Sequence, residues 1–484
     1  MLEQKQIKAT HPGYQEYIYR WDYYARSYMG AEEYRDGAYL RKYINEDDAP
    51  GQQYQQRLLD TAYQNHVKTV VDTYRSFLFR NPPTRTLGRL TDDEFVRKFI
   101  RDCDVNGTSL DHFMREVSDI VSIYGGAWVA IDRPAYQAAS AAEEQALSIR
   151  AYATKYTPTN VLDWRYSKQV NGRKELTYIK VIDEQHQGYD VIRVWTPETI
   201  EVYTVAKEEI QKTSNSLMLG NMNYASDVPT REYGEILDYA EYPNPLGEVP
   251  FIFIQGDRSF HDGIGTSDIG DVADLSRSIY NKLSELAQNI RISSHPSIVA
   301  EPSAELNGGV GAVITIDENT QIQPYLLQPT GASIDGIIKA IELDMEAIDS
   351  TTHLKAVKAT SGSPMSGVAL QTTRQNLNNK LGDRASTLEQ AEERMWRLWF
   401  MWQGIEPDAE FDVYYEKSFD LRDRHSDLEL YRKAIETVPH DAFVHAMHRE
   451  VASMMIEDEN ELQEVLDAIA QDHANMNIQV PGEN

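Results

Sequence analysis

The sequence predicts an α+β fold that is mainly helical, and three observations carry this. Apolar residues recur at spacings of three and four over the first 125 residues and again from 268 onward. Between 149 and 254 the pattern changes to β-branched and aromatic runs bounded by turn residues. The 484 residues are 41% hydrophobic with 27 Gly and 19 Pro, which excludes fibrous and disordered classes and allows roughly two to four domains. The net charge of −29 argues against a protein that grips nucleic acid by its phosphates. Cys103 is the single cysteine, so no disulfide framework forms within the chain. No apolar run reaches the ~18 residues of a membrane span. The opening Met-Leu-Glu-Gln-Lys-Gln lacks the apolar core of a signal peptide, so a reducing, intracellular folding site is expected.

The elements follow in order. In 54–79 a helical stripe runs through Leu58, Ala62, Val70, Val71, Tyr74, Phe77 and Leu78, and Asn81-Pro82-Pro83 stops it. In 109–124 Leu110, Phe113, Met114, Val117, Ile120, Val121 and Tyr124 share one face, and Gly125-Gly126 supplies the C-terminal cap. Trp128–Ile131 reads as a strand, and the Ala- and Gln-rich 135–147 as an exposed connection. Asn171-Gly172 marks a hairpin turn before the strand Leu176–Ile182. Further strands are expected at 191–195, 199–204 and 251–254, and 205–230 reads as a long mobile loop.

Residues 268–292 form one amphipathic helix with the stripe Ile269, Val272, Leu275, Ile279, Leu283, Leu286 and Ile290. A short β excursion at 297–300, 313–316 and 321–327 follows, with Gly308-Gly309 as its turn. A second helix over 334–353 carries Ile334, Ile338, Ile341, Met345 and Ile348. Residues 355–366 read as a loop. A helix of about 35 residues then reaches the aromatic run Met395–Trp402. After a strand at 411–415, helices are expected at 426–437, 441–456 and 459–472, the first two separated by Pro439.

Motifs for chemistry are few. A P-loop is absent, since the chain contains no Gly-Lys. Gly308-Gly309-Val310-Gly311 lacks a strand–turn–helix frame and reads as a turn. Ser267 or Asp268 reads as an ordinary helix N-cap, with anion binding at Gly263–Asp268 as the weaker alternative. His445 and His448 lack the His-Glu-x-x-His order of a metalloprotease. Cys103 is flanked by Asp102 and Asp104, which disfavour a thiolate. No cofactor, metal or catalytic residue is assigned. On the two helices of 268–353 the charges align. Asp268, Asp271, Asp274 and Glu285 lie off the first apolar stripe. Asp335, Lys339, Glu342, Glu346 and Asp349 step four, three, four, three beside the second. A solvated face, with Asp335–Lys339 as an i,i+4 pair, explains this stripe in a monomer.

Several segments together resemble the portal protein of tailed bacteriophages. They are His11-Pro12-x-Tyr14 with Trp21 and Tyr39-Leu40, the helix ending Val70-Val71-Asp72-Thr73-Tyr74-Arg75-Ser76-Phe77-Leu78-Phe79-Arg80-Asn81-Pro82, the helix–β module–helix of 268–353, and the loop 354–366 leading into Ser366–Leu370. Segments 135–147 and 205–230 stand outside the resemblance. It implies a portal-like ring subunit with a β-containing wing at 1–265 (helical to 125, β over 126–265), a stem helix at 266–294 and a small α/β clip at 295–330. A second stem helix at 331–354, a tunnel loop at 355–366, a long wing helix and return strand at 367–415 and a helical crown at 416–484 complete the order.

The same resemblance implies a homo-oligomeric ring, a dodecamer, at one capsid vertex, assembled in the host cytoplasm and carried in the virion. Double-stranded DNA would pass through its channel in packaging and ejection. Its partners would be the terminase large subunit, a head-to-tail adaptor and the major capsid or scaffold protein, with no membrane. The channel would be lined by Glu342, Glu346 and Asp349, with Lys355 and Lys358 touching phosphates transiently, the equal alternative being solvated lysines near a helix end. The portal itself would have no catalytic residues. Two alternatives stay open: a metal-dependent hydrolase with an unrecognised acidic site, and an assembly ring without DNA passage.

Overall fold

Start and stop signals set the helices of the first 125 residues. His11 Nδ1 accepts from Gly13 N at 3.0 Å, and Pro12 occupies the first helical position. Asn65 accepts from Lys68 N at 2.8 Å, and Ser109 caps the helix that begins at Leu110. The computed structural model describes residues 2–43, 46, 53–134, 149–207, 233–257, 259, 261–294, 297–299, 325–327, 331–355, 367–419, 424–438, 440–455, 462 and 464–469. The chain divides into two units, Met1–Phe419 and Asp420–Asn484.

The first unit begins with α1 (Gln4–Lys8), α2 (Pro12–Met29), α3 (Ala31–Tyr34), α4 (Gln53–Asp60) and α5 (His66–Leu78). The continuous stripe of 54–79 is thus two helices. Asn65, with its cap bond, restarts the backbone and ends the single-helix reading. Then come β1 (Thr84–Thr86), α6 (Glu94–Arg101), α7 (Leu110–Tyr124), β2 (Gly126–Asp132), β3 (Tyr152–Tyr156), β4 (Val161–Lys168), β5 (Lys174–Gln185), β6 (Tyr189–Trp195), β7 (Thr199–Lys207), β8 (Tyr233–Pro243) and β9 (Phe251–Gln255). Residues 205–207, expected in a loop, continue β7. Residues 208–232 and 135–148 lie outside the described residues.

Strands β4 to β8 form an antiparallel meander in sequence order, with the turn at Gly172 in the left-handed region at φ 84°. Strand β2 is buried along its whole length between β3 and β9. Long helix α8 (Gly270–Ser294), the short pair β10 (Ser297–Val299) and β11 (Tyr325–Leu327), helix α9 (Gly331–Thr351), helix α10 (Gly367–Gln403) and β12 (Asp412–Tyr414) complete the unit. β10 and β11 are antiparallel, and the expected strand at 313–316 lies outside the described residues. β12 pairs with β1, a long-range partner that no local pattern announces.

The main core packs α2, α5, α7 and the end of α10 on β2–β3–β9. The aromatic run of α10 is buried because its indoles reach backbone acceptors: Trp399 Nε1 donates to Ala151 O at 3.1 Å and Trp402 Nε1 to Ile131 O at 2.8 Å. Glu392, fully buried beside them, accepts from Arg85, Tyr415 Oη at 2.6 Å and Trp396 Nε1 at 3.2 Å. A second cluster places Ile7 of α1 on Ile182, Ile192, Val194 and Tyr203 of the meander. The second unit contains α11 (Arg424–Thr437) and α12 (Asp441–Met455), with 464–469 also helical; Pro439 and half of 459–472 lie outside the described residues.

Candidate functional site: an anchored helix pair

Helices α8 and α9 pack on one another, and Ile279 of α8 and Ile341 and Ile348 of α9 are all buried. Lys282 ties them, with Nζ 2.6 Å from Asp344 and donating to Ala340 O at 3.3 Å. The second stripe is rotated from its expected centre. Ile337, Ile341 and Ile348 face inward, while Ile338 and Met345 remain 40% and 37% exposed. Leu343, Ile290 and Ile292 are also exposed, at 58%, 49% and 48%. Ile290 was expected to close the first stripe.

The base of the pair is pinned at both ends. Gly125, at φ 85°, crosses Gly265 so closely that a Cβ on Gly125 would meet Gly265 O at 2.5 Å. That crossing lets Asp268 N donate to Ser122 O and Ser267 Oγ donate to Ile123 O at 2.6 Å, while Ser267 Oγ accepts from Ile269 N at 3.1 Å. The sequence places Asp268 off the first apolar stripe, as an ordinary helix N-cap. Its side chain is instead 1% exposed, within 3.2 Å of Lys380 Nζ and 2.9 Å of Arg384 Nη2 of α10. A carboxylate so enclosed requires cations, and two stand one helical turn apart on α10. At the other end, Thr352 and Leu354 are buried, and Tyr74 of α5 donates to Thr352 O at 2.8 Å. Burial, with Asp268 next, holds the Tyr74 phenol well above its ordinary range. His353 adopts φ 60°, and burial together with Lys380 lowers its pKa.

Midway along α8, an arm built from residues 34–43, 46 and 53–60 clasps the helix. Tyr34, Leu40 and Leu58 pack on Tyr280. Arg57 and Glu46 form a buried pair at 2.6 Å, and Arg57 Nη1 donates to Ser284 Oγ at 3.0 Å. Asn281 Oδ1 accepts from Arg41 N, and Asn281 Nδ2 donates to Tyr39 O. These contacts escaped the sequence reading. The Lys380–Arg384 spacing was the sole local signal.

Glu342 and Glu346 are exposed on α9, and Asp349, one turn further on, is partly buried and engaged. Asp335 and Lys339 are both exposed, and no ion pair joins them. Lys355 is exposed just past the pinned base, and Lys358 lies outside the described residues. Burial, then Asp104, pushes the Cys103 thiol up to about 12, so the thiolate is inaccessible at neutral pH. His445 Nε2 lies 3.2 Å from Ile469 O. Among the described residues no three His, Cys, Asp or Glu side chains cluster for a metal, and no helix is long and apolar enough to cross a membrane.

Two solved assemblies are similar. One is titled "Neck of empty GTA particle computed with C6 symmetry", with a TM-score of 0.40, 8% identity, and coverage of 84% of this chain and 94% of that one. The other is "Virion of native gene transfer agent (GTA) particle", with a TM-score of 0.38, 7% identity, and coverage of 90% and 98%. No curated relative matches the sequence. Residues 15–422 match the family described as "Phage portal protein, SPP1 Gp6-like", which spans the helix pair, both anchors and the arm, and the chain belongs to that family.

Proposed function

We propose that the protein is the subunit of a closed homo-oligomeric ring at one capsid vertex, through which double-stranded DNA is packaged and ejected. In this reading α8 and α9 are the stem, 295–330 the clip that meets the terminase large subunit and the head-to-tail adaptor, and 355–366 the tunnel loop. Residues 1–265 and 367–415 form the wing toward the capsid or scaffold protein, and 416–484 the crown.

One observation carries the reading: Ile338 and Met345 stand exposed beside the acidic stripe Glu342–Glu346 on the same anchored helix. A neighbouring copy packed there would bury the apolar residues and leave the carboxylates facing an axial channel. Such a head-to-tail contact closes into a ring when the rotation allows. Like-charged walls hold no deep minimum for phosphate, so a duplex slides past them. Lys355 and Lys358 would meet phosphates briefly at the tunnel loop.

The test is assembly of Ile338→Glu with Met345→Glu, followed by mass photometry and electron microscopy. Wild-type protein should give rings with a central hole, and the double variant should remain monomeric with unchanged far-UV circular dichroism. Rings from the variant, or a wild type that stays monomeric across salt and concentration, would refute the stem assignment.

A further inference from the structure

We propose that the cleft between α10 and strand β9 binds an extended, oppositely charged peptide segment of another protein, with a carboxylate of that segment seated on Arg394. The cleft has a volume of about 780 Å3, within the size range of ligand sites. Asp383, Thr387, Gln390 and Arg394 line one wall from a single face of α10, and Phe253 lies on the opposite wall. A helix face turned toward a sheet is ordinarily apolar. This one is polar.

Its two ends differ in charge. At one end the Nε of Arg394 is enclosed and has no hydrogen-bond partner among the described residues. The nearby carboxylate of Glu248 is already taken by two bonds to Arg397, at 2.7 and 2.9 Å. Burial, then Arg397, weaken the hold of Arg394 on its proton, with Arg173 adding to them, while Glu248 and Tyr166 act the other way without reversing the shift. A partly desolvated guanidinium with no carboxylate hydrogen-bonded to it can take one from outside. At the other end Asp383 and Asp257 are exposed in the same cleft. Asp262 also lines the cleft, on the side of Tyr166 and Arg394, and is paired with Lys174 at 2.6 Å.

The eleven steps from Asp383 to Arg394 span about 16 Å of helix, the length of about five residues of extended chain. An occupant with a carboxylate at one end and an ammonium at the other matches both poles. Inorganic phosphate or a nucleic acid does not, because a dianion at Arg394 would share the cleft with three aspartates. The carboxylate matches the planar fork of one guanidinium.

The probe is a fluorescein-labelled Glu-Ser-Ala-Ser-Lys peptide, capped at both ends and titrated by polarisation against the full-length protein. Saturable binding is expected, weakened about tenfold by Arg394→Gln and a few-fold by Asp383→Asn, as loss of a charged hydrogen bond requires. Equal concentrations of phosphate or of a DNA oligonucleotide should not displace it. The Arg394→Gln protein should melt at or above the wild-type temperature, since it loses a partly buried guanidinium whose Nε is unpaired. Unchanged affinity in Arg394→Gln, no saturation by wild type up to about 1 mM, displacement by phosphate, or a melting temperature several degrees lower would each overturn the proposal. The readout is independent of ring formation, so a ring that binds no peptide leaves the portal reading intact.

Discussion

Lys180 has no exposed surface, and its Nζ donates to the backbone carbonyls of Gln6 and Ile7, each at 3.0 Å, and of Ala9. These carbonyls are the unsatisfied acceptors at the C-terminus of α1, where a cation is the natural cap. Burial nevertheless lowers the lysine to about 8, well below its ordinary 10.5. The folded state therefore releases this proton before the unfolded state does. Between about pH 8 and 10.5 the unfolded chain binds more protons at this site, so its contribution to stability rises with pH. Lys180→Met removes that dependence. In paired urea melts at pH 7 and 9.5, wild type should gain on the variant by about 2 kcal/mol at the higher pH. Buried tyrosines such as Tyr124 and Tyr415 act alike in both proteins and cancel in the difference. A wild-type-minus-variant difference that is flat with pH would show that the ammonium is not desolvated.

At the scale of elements, the helix pair works as a lever only if its base is fixed, and Asp268 is the narrowest point of that fixing. Asp268→Asn leaves Arg384, 7% exposed, and Lys380 without their carboxylate. Removing one partner of a buried pair costs about 3–5 kcal/mol. The variant should unfold at lower urea, and amides 270–275 should exchange faster than the remainder of α8. The double variant Asp268→Asn with Arg384→Gln should recover part of the loss, and additive losses would refute the coupling. The sequence disclosed the helices because period and caps are local: Ile279 and Ile341 declare a stripe, and Ser109 and Gly125 mark the ends of α7. It did not disclose Asp268, because an aspartate before a helix reads as a cap whether it faces water or a pair of cations 112 and 116 residues away. The break between α4 and α5 was hidden for a related reason. Apolar spacing continues across 61–65 while the cap bond of Asn65 and the packing of Tyr63 on Tyr34 interrupt the backbone. The arm that clasps Ser284 and Asn281 leaves no periodic trace, and neither does Arg394, whose meaning lies in the carboxylate it lacks.

At the scale of the whole molecule, the net charge of −29 sets a condition on any ring. A dozen copies would bring together roughly −350 charges, so subunits repel at long range while apolar stem residues attract on contact. The two forces respond oppositely to salt. Screening shortens the repulsion to about 10 Å at 0.1 M and leaves apolar burial almost unchanged. If the interface is the stripe of Ile338 and Met345, assembly should strengthen as ionic strength rises. An interface held by complementary charges should weaken instead. Mass photometry across about 0.05–0.3 M sodium chloride, the range over which the Debye length shortens most steeply near protein dimensions, separates the two. The protein concentration at half-assembly should fall severalfold over that range. Glu342→Gln with Glu346→Gln should lower that concentration at low salt and bring the variant into coincidence with wild type at high salt, because those carboxylates contribute repulsion and no contact. A half-assembly concentration that rises with salt would place ion pairs, rather than the apolar stripe, at the subunit contact, and the exposed isoleucines would then need a different partner.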